Sequence, residues 1–413
     1  MSAVEKRVSG SVDPVTIPLA QRFKDFPGYP LADVPQIKRE LMARGVDVID
    51  LGAGDADLAP PPAAVRALEN AAASVPMSRY PFQLGLPAFR EAVATWMAKR
   101  FAVSLDPFRE ILPLVGSKEG IAHLASCYVD PGDVTIVPDP GYQPYVGGTL
   151  LAGGTPHSVA LLAEHDFLIP LDAIPRDVLD GARILYLNYP NNPTAAIAPR
   201  SYLEDVVRLC RERRIVLVYD NAYSEIAFDG YRPPSILEID GARDVAVEFH
   251  SFSKTYNMTG WRIGWAAGSA DAIAALARVK SFVDTGQFLA VQAAARAALE
   301  SYDEWVPSNV SAFQERRDAL VAALNQNGFN ATSPRATMYL WFPAPGGDSH
   351  AFARRALLDE GVVVMPGAAL GAGGEGWLRA ALTQAPDRLR DAAIRLGRVL
   401  ANGTRPHASV RTD

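Results

Sequence analysis

The feature that most constrains this chain is an alternation. Between about residue 60 and residue 290, short unbroken apolar runs alternate with longer amphipathic stretches. The runs are DVTIVPD (133–139), RILYLNY (183–189), IVLVYD (215–220) and VAVEFHS (245–251), and the stretches include KEGIAHLASCYV (118–129) and RSYLEDVVRLCRERR (200–214). Runs that are apolar on both faces belong to strands covered on both sides. Strands separated by helices pair in parallel through crossovers. The expected fold is therefore α/β, with a central, mostly parallel sheet covered by helices. Each run ends in a polar or Gly/Pro-rich loop, and in open α/β sheets ligands collect at those carboxyl ends.

Past residue 290 the pattern changes to helical periodicity (AVQAAARAALESY, FQERRDALVAALNQNG), strand-like MYLWFPA and GVVVMPG, and a last helix, PDRLRDAAIRLGRVLANG. This reads as a smaller α+β domain. The expected division is a flexible N-terminus (1–14), an arm that packs with the small domain (15–59), a large domain (60–290), the small C-terminal domain (291–403) and a flexible tail (404–413).

Composition narrows the function. The chain has 413 residues, 49% apolar and 21% charged, enough for a large packed core. A net charge of −6 lacks the basic footprint of a nucleic-acid binder. The opening MSAVEKRVSG has no signal-peptide core. No window approaches the roughly 18 uninterrupted apolar residues of a membrane span. Cys127 and Cys210 stand far apart, without a CxxC, and read as reduced thiols of a cytoplasmic protein. The six histidines show no paired ligand spacing, so no metal site is expected.

The chemistry concentrates at strand ends. In SFSKTYNMTGWRIGW (251–265), a Ser-x-x-Lys run follows a buried strand. A desolvated ammonium is costly unless it is used, and lysine is the side chain that forms a Schiff base with a carbonyl. Arg262, with its planar fork, and the hydroxyls of Ser251 and Ser253 suit a phosphate. The rival readings are a turn lysine, or a Ser251 nucleophile as in penicillin-binding enzymes, although no SDN or KTG follows. In NYPNNPTAA (188–196), Asn192 either caps a rigid turn or donates to a ligand oxygen. In VYDNAYSEIAF (218–228), Asp220 either caps the next turn or pairs with a cation such as a protonated pyridine nitrogen, with Tyr223 in reach of the same ring. VGSKEGIAH (115–123) puts Ser117 and Lys118 at a helix start, where an anion is favoured. Tyr142, in PDPGYQPY, is either core or a stacking platform. Arg379, in the apolar run WLRAALT, needs an anion, which an internal acid or a substrate carboxylate supplies. Gly371, Gly373 and Gly376 match GxGxxG but lead no βαβ helix, so a dinucleotide site is not expected.

Taken in order from about residue 20 to 400, these segments resemble the class I/II aminotransferases, pyridoxal-phosphate (PLP) enzymes of fold type I. The resemblance implies that Lys254 carries the cofactor and then shuttles the proton. Asp220 would pair with the pyridine nitrogen, Tyr223 and Asn192 with the ring oxygen, and Tyr142 would stack on the ring. Ser117, Lys118, Ser251, Ser253 and Arg262 would cradle the phosphate. Tyr80, in SRYPFQLGLPAFREAV, resembles the tyrosine that reaches the neighbouring subunit's phosphate, which implies a homodimer with shared active sites. Arg379 would bind the substrate carboxylate with the Gly54 backbone facing it, and Tyr29 would close over the substrate. Within the family, GSKEGIAH, NYPNNPT, DNAYSEIAFDGYRPPS and EFHSFSKTYNMTGWRIG are most similar to the LL-diaminopimelate aminotransferases. Two departures are Ala195, where those enzymes carry glycine, and GDAD at Gly54–Asp57 in place of GDPD. The implied reaction is ping-pong transamination between an amino acid, LL-diaminopimelate first, and 2-oxoglutarate. Related enzymes act on alanine, aspartate or aromatic amino acids, and a β-lyase on the same fold is the next alternative. A PLP-binding transcription regulator would need a DNA-binding domain, for which the residues ahead of the fold leave no room.

Overall fold

The computed structural model describes residues 17–20, 23, 24, 26, 28, 33–82 and 84–402. The expectations for residues 1–14, 404–413 and Tyr29 lie outside the described residues. Strand β1 (Ile49–Asp50) precedes seven strands of a single sheet: β2 (Ile111–Leu114), β3 (Val134–Asp139), β4 (Thr155–Ala160), β5 (Ala182–Leu187), β6 (Val216–Asp220), β7 (Ala246–Ser251) and β8 (Gly264–Gly268). Their spatial order is β2-β8-β7-β6-β5-β3-β4. Then come β9 (Tyr339–Pro343), β10 (Val362–Val363), β11 (Met365–Pro366) and β12 (Trp377–Ala381). These supply the antiparallel sheet β11-β12-β9 and a parallel pairing of β1 with β10.

The unbroken apolar runs fill the middle of the large sheet, and β3, β4, β5, β6 and β7 pair in parallel as their pattern predicts. The exception is β8, which is antiparallel to both β7 and β2. Only the loop carrying Lys254 separates β7 from β8, and a parallel pairing needs a longer crossover. The chain therefore doubles back, and Ser251 faces Gly264 across the ladder. A Cβ at Gly264 would lie 2.5 Å from the His250 carbonyl and 2.9 Å from the Ser117 amide, so glycine lets the Lys254 loop and the Ser117 helix meet backbone to backbone.

Helices cover both faces. Pro87–Phe101, Arg200–Arg213 and Leu289–Glu300 bury Phe89, Val93, Leu203, Val206 and Ala295 on one side. Ser117–Tyr128 and Ala270–Val283 bury Ile121, Leu124 and Leu276 on the other. A further core joins β9 and β12 to the helices Tyr302–Gln326 and Pro386–Ala401, and Tyr223, Ile226 and Phe228 from the loop after β6 pack into it. That loop thus binds the small sheet to the carboxyl edge of the large one. The helix Tyr302–Gln326 starts well before the FQERRDAL pattern suggests and carries Pro307 inside it.

Under the start of Ser117–Tyr128 lies an ionic cluster. Fully buried Lys280 bonds Glu119 and, at 2.9 Å, Asp284. Glu119 also accepts from the Val115 amide at 3.1 Å and meets His123 Nδ1 at 3.0 Å. Burial alone would raise the Glu119 carboxyl; His123 and Lys280 outweigh it and hold it below its usual value. Removing one partner of a buried pair strands the other charge. Lys280→Met is expected to lose about 3 kcal/mol of unfolding free energy, the low end for breaking a buried pair. Denaturant titration checks this, and a loss under about 1 kcal/mol would mean that solvent relaxes the cluster.

Candidate active site

A cavity of about 390 Å3 opens where the large sheet's carboxyl edge meets the small sheet. It is lined by Gly54, Ser117, Lys118, Tyr142, Asn192, Asp220, Tyr223, Ser251, Ser253, Lys254, Arg262 and Arg379, which are the expected site residues apart from Tyr29 and Tyr80. The side chain of Tyr80 is exposed (74%) and does not line the cavity of its own chain.

The parallel ladder explains much of the convergence, because each parallel strand delivers its following loop to the same edge. At one end, Ser117 begins a helix two residues after β2 and lines the cavity with Lys118, and the first amide groups of a helix, lacking intrahelical partners, favour an anion. Lys118 lies over the Tyr142 ring, its Nζ 5.8 Å from the centroid. Arg262 is held in the left-handed region (φ 54°) and donates to the Thr259 carbonyl at 2.9 Å, and Gln287 bonds the Arg262 carbonyl. Gly116 (φ +75°) makes room: a Cβ there would lie 2.4 Å from Arg262 Nη2. The Ser251 hydroxyl accepts the Ser253 amide at 3.1 Å and caps the short turn that carries Lys254. The Lys254 amine donates to the Gly54 carbonyl.

In the middle sits Asp220. Its Oδ2 accepts the Tyr145 hydroxyl at 2.9 Å, and Asn188 Nδ2 holds its backbone carbonyl at 2.7 Å. Its Oδ1 is buried and has no protein partner. Burial pushes the carboxyl up to about 6, opposed by the hydrogen bonds from Tyr145 and Ala222 and by the charge of His250. Behind it, Asn221 Nδ2 and His250 Nε2 each lie 2.8 Å from Glu248 Oε1. Burial would raise Glu248, but His250 and the hydroxyl of Ser235 prevail and hold it low. This buried pair fixes the end of β6 against β7.

At the other end, Arg379 Nη1 donates to Asn192 Oδ1 at 2.8 Å and Nη2 to the Gly52 carbonyl at 2.7 Å. The carbonyl facing Arg379 is thus that of Gly52, while that of Gly54 takes Lys254. The segment bearing both carbonyls is pinned at each end. Asp50 accepts Lys38 at 2.8 Å, and Asp57 takes a two-pronged bond from Arg316 at 2.7 and 2.8 Å.

Four contributors were not read from sequence: Tyr145, Asn188, Gly52 and Tyr339. Tyr145 and Asn188 lie inside motifs already singled out, PDPGYQPY and NYPNNP. Tyr339 had no local signal, since MYLWFPA reads as an ordinary buried strand. A metal ion is not suggested by the nearest candidate group, Glu119, His123 and Asp284, because Lys280 already supplies its positive charge.

The cavity fits pyridoxal phosphate on its own geometry. The orphaned Oδ1 of Asp220 is the partner that a protonated pyridine nitrogen requires, and Ser117, Lys118, Ser251, Ser253 and Arg262 form a cradle for a phosphate. Fold and site together define a PLP-dependent enzyme of fold type I. The family model for aminotransferase class I and II matches residues 46–396. The LL-diaminopimelate aminotransferase of Desulforudis audaxviator is 51% identical over 91% of this chain and 96% of its own length. That of Moorella thermoacetica is 47% identical over 92% and 98%. Among solved structures, substrate-bound BacF from Bacillus subtilis superposes with a TM-score of 0.89 at 32% identity, covering 94% of this chain and 98% of that one. A probable N-succinyldiaminopimelate aminotransferase from Thermus thermophilus gives 0.85 at 38% identity, covering 89% and 99%. The chain belongs to the class I and II aminotransferases and is a PLP-dependent aminotransferase.

The raised Asp220 carboxyl has a consequence for the protein stripped of cofactor. Between the ordinary 3.8 and about 6, the folded chain holds a proton that the unfolded chain has released. The contribution of this group to stability therefore falls as pH rises through that window. Asp220→Asn is expected to remove that fall. Denaturant titrations at intervals from about pH 4 to 7 check it, and equal pH slopes in both proteins would show that the carboxyl is not desolvated.

Proposed function

We propose that the protein transfers an amino group from LL-2,6-diaminopimelate to 2-oxoglutarate by a ping-pong mechanism, with Lys254 as its catalytic base. The observation that carries the mechanism is the convergence of Lys254, the orphaned oxygen of Asp220 and Arg379 on one cavity. The substrate assignment is supported by relatives of that name at up to 51% identity along most of the chain.

Bound pyridoxal phosphate supplies the carbonyl that exchanges for the amino group and a ring that accepts the electron pair released with the α-proton. The protein's residues do the rest. Ser117, Lys118, Ser251, Ser253 and Arg262 fix the phosphate, so that the cofactor stays attached when Lys254 lets go. Asp220 keeps the ring nitrogen protonated, and that ion pair reverses the cost of burying its carboxylate. Tyr223, Asn192 and Tyr142, which line the same cavity, would hold the ring. Arg379 grips the α-carboxylate of the amino acid, and Asn192, already bonded to it, orients the guanidinium. Lys254 would serve as the base for the α-proton, a role that requires a neutral amine. The same groups then serve the 2-oxo acid in reverse.

The protein acts as a homodimer, with Tyr80 completing the partner's phosphate site. The exposure of Tyr80 and Phe82 outside their own cavity supports this. It acts in the cytoplasm. Support comes from the two free thiols, both raised by burial, and from the absence, among the described residues, of a helix long and apolar enough to cross a membrane.

Lys254→Ala is expected to lower turnover at least about 10³-fold while the fold and dimer persist. A half-reaction screen tests the substrate. The PLP-loaded enzyme is mixed singly with LL-diaminopimelate, its meso isomer, alanine, aspartate, glutamate and aromatic amino acids, and pyridoxamine phosphate formation is followed. Conversion fastest with LL-diaminopimelate and glutamate is expected. Faster conversion with alanine, aspartate or aromatics would replace the substrate, and pyruvate release without an acceptor would replace the reaction by elimination.

A further inference from the structure

Tyr339 stands at the junction of the reacting groups, yet no motif announces it. It opens β9, is almost wholly buried, and lines the same cavity as Lys254 and Arg379. Its hydroxyl accepts the Tyr223 hydroxyl at 3.3 Å, and the two rings meet edge to face at 5.7 Å. The Arg379 guanidinium lies 4.3 Å from the centre of its ring. Gly54, whose carbonyl takes the Lys254 amine, has no side chain because the Tyr339 hydroxyl occupies that space: a Cβ would lie 2.0 Å from it. Tyr339 and Lys254 therefore both approach one glycine.

The backbone before the strand is built to hold this position. Thr337, a β-branched residue, sits at φ +78°, a conformation that such residues rarely adopt. Its amide donates to the Ile226 carbonyl at 2.8 Å, and its hydroxyl accepts the Tyr339 amide at 3.1 Å. The strain ties the start of β9 to the loop carrying Tyr223. Strain of this kind persists only where the surroundings over-determine it.

We propose that Tyr339 is a positioning residue for transamination: its hydroxyl anchors that of Tyr223 and, across Gly54, sets the electrostatic surroundings of the Lys254 amine. The charged and titratable groups that act on it are Lys254 from the turn after β7, Arg379 from β12, and Tyr223 from the loop after β6, and Asp220 acts in turn on Tyr223. Burial would push the Tyr339 phenol up, but Lys254, Arg379 and the Tyr223 hydrogen bond outweigh it and bring it below its usual value. Burial drives Tyr223 the other way, so Tyr223 keeps its proton and is the donor of the pair. The Tyr339 oxygen and the Lys254 amine both lie against Gly54, so removing the hydroxyl changes what the lysine nitrogen faces. The Tyr223 hydroxyl thus donates to Tyr339, which fixes the Tyr223 oxygen in the cavity.

The inference rests on Lys254 being the cofactor lysine, and the test separates the two. Tyr339→Phe keeps the ring against Arg379 and removes only the hydroxyl. In the PLP-loaded enzyme, the pH midpoint of the lysine-bound cofactor's absorbance is expected to fall by about half a unit or more. Turnover is expected to drop about tenfold, with KM for the amino donor within about threefold. Gly54→Ala, which pushes the hydroxyl aside, is expected to move the midpoint in the same direction. The double variant should resemble Tyr339→Phe alone rather than the sum of the two. An unchanged midpoint and turnover in Tyr339→Phe, even with a lower unfolding temperature, would overturn the proposal and leave Tyr339 a packing residue. Fully additive effects would overturn the link through Gly54. If Lys254→Ala retained the lysine-bound absorbance, the reading of Lys254 itself would fall.

Discussion

The structure depends on one costly placement: a carboxylate, Asp220, at the end of a central strand, with one oxygen satisfied by Tyr145 and the other left without a protein partner. In an apolar interior such a group resists ionisation, and its carboxyl is pushed up to about 6. The placement makes sense when a cationic ring meets that oxygen, because the buried charges then compensate each other. Everything behind Asp220 keeps it from relaxing away: Asn188 on its carbonyl, and the neighbouring Asn221 tied to the Glu248–His250 pair.

The same economy governs the rest of the site. The donors proposed for the phosphate come from a helix start, where backbone amide groups lack intrahelical partners, and from the turn that Ser251 caps. Close backbone approaches do the assembling. Gly264 lets the Lys254 turn meet the Ser117 helix, Gly116 admits Arg262, and Gly54 admits the Tyr339 hydroxyl. The large sheet supplies the cofactor end, and the small sheet supplies Arg379 and Tyr339. The loop after β6 packs into the second core, and Asp57 and Arg316 pin the Gly52–Gly54 carbonyls. Arg379 and Lys254 are thereby held on either side of the seam between two packed units.

Much of this was legible in sequence because it follows from local rules. Unbroken apolar runs with helices between them dictate parallel strands, and polar residues just past those runs must lie at one edge. Hence Lys254, Asp220, Asn192, Tyr142 and Ser117 could be placed together without coordinates. The reversal of β8 was not anticipated, because its short Gly- and Ala-rich run has no β-branched signature. Tyr145 lies inside the PDPGYQPY motif, but nothing local says that it reaches a carboxylate 75 positions away.

The sequence by itself determined the fold class and the family, and singled out Lys254 and its neighbours as candidates, because period, turn chemistry and motif order are properties of contiguous residues. Only the tertiary structure decided which carbonyl faces Arg379, which oxygen of Asp220 is left for the cofactor, and that Tyr339 shares the space beside Lys254. Those outcomes depend on how closely separate segments approach, and approach distances are fixed by packing between strands and loops far apart in the chain, not by any residue's neighbours in sequence.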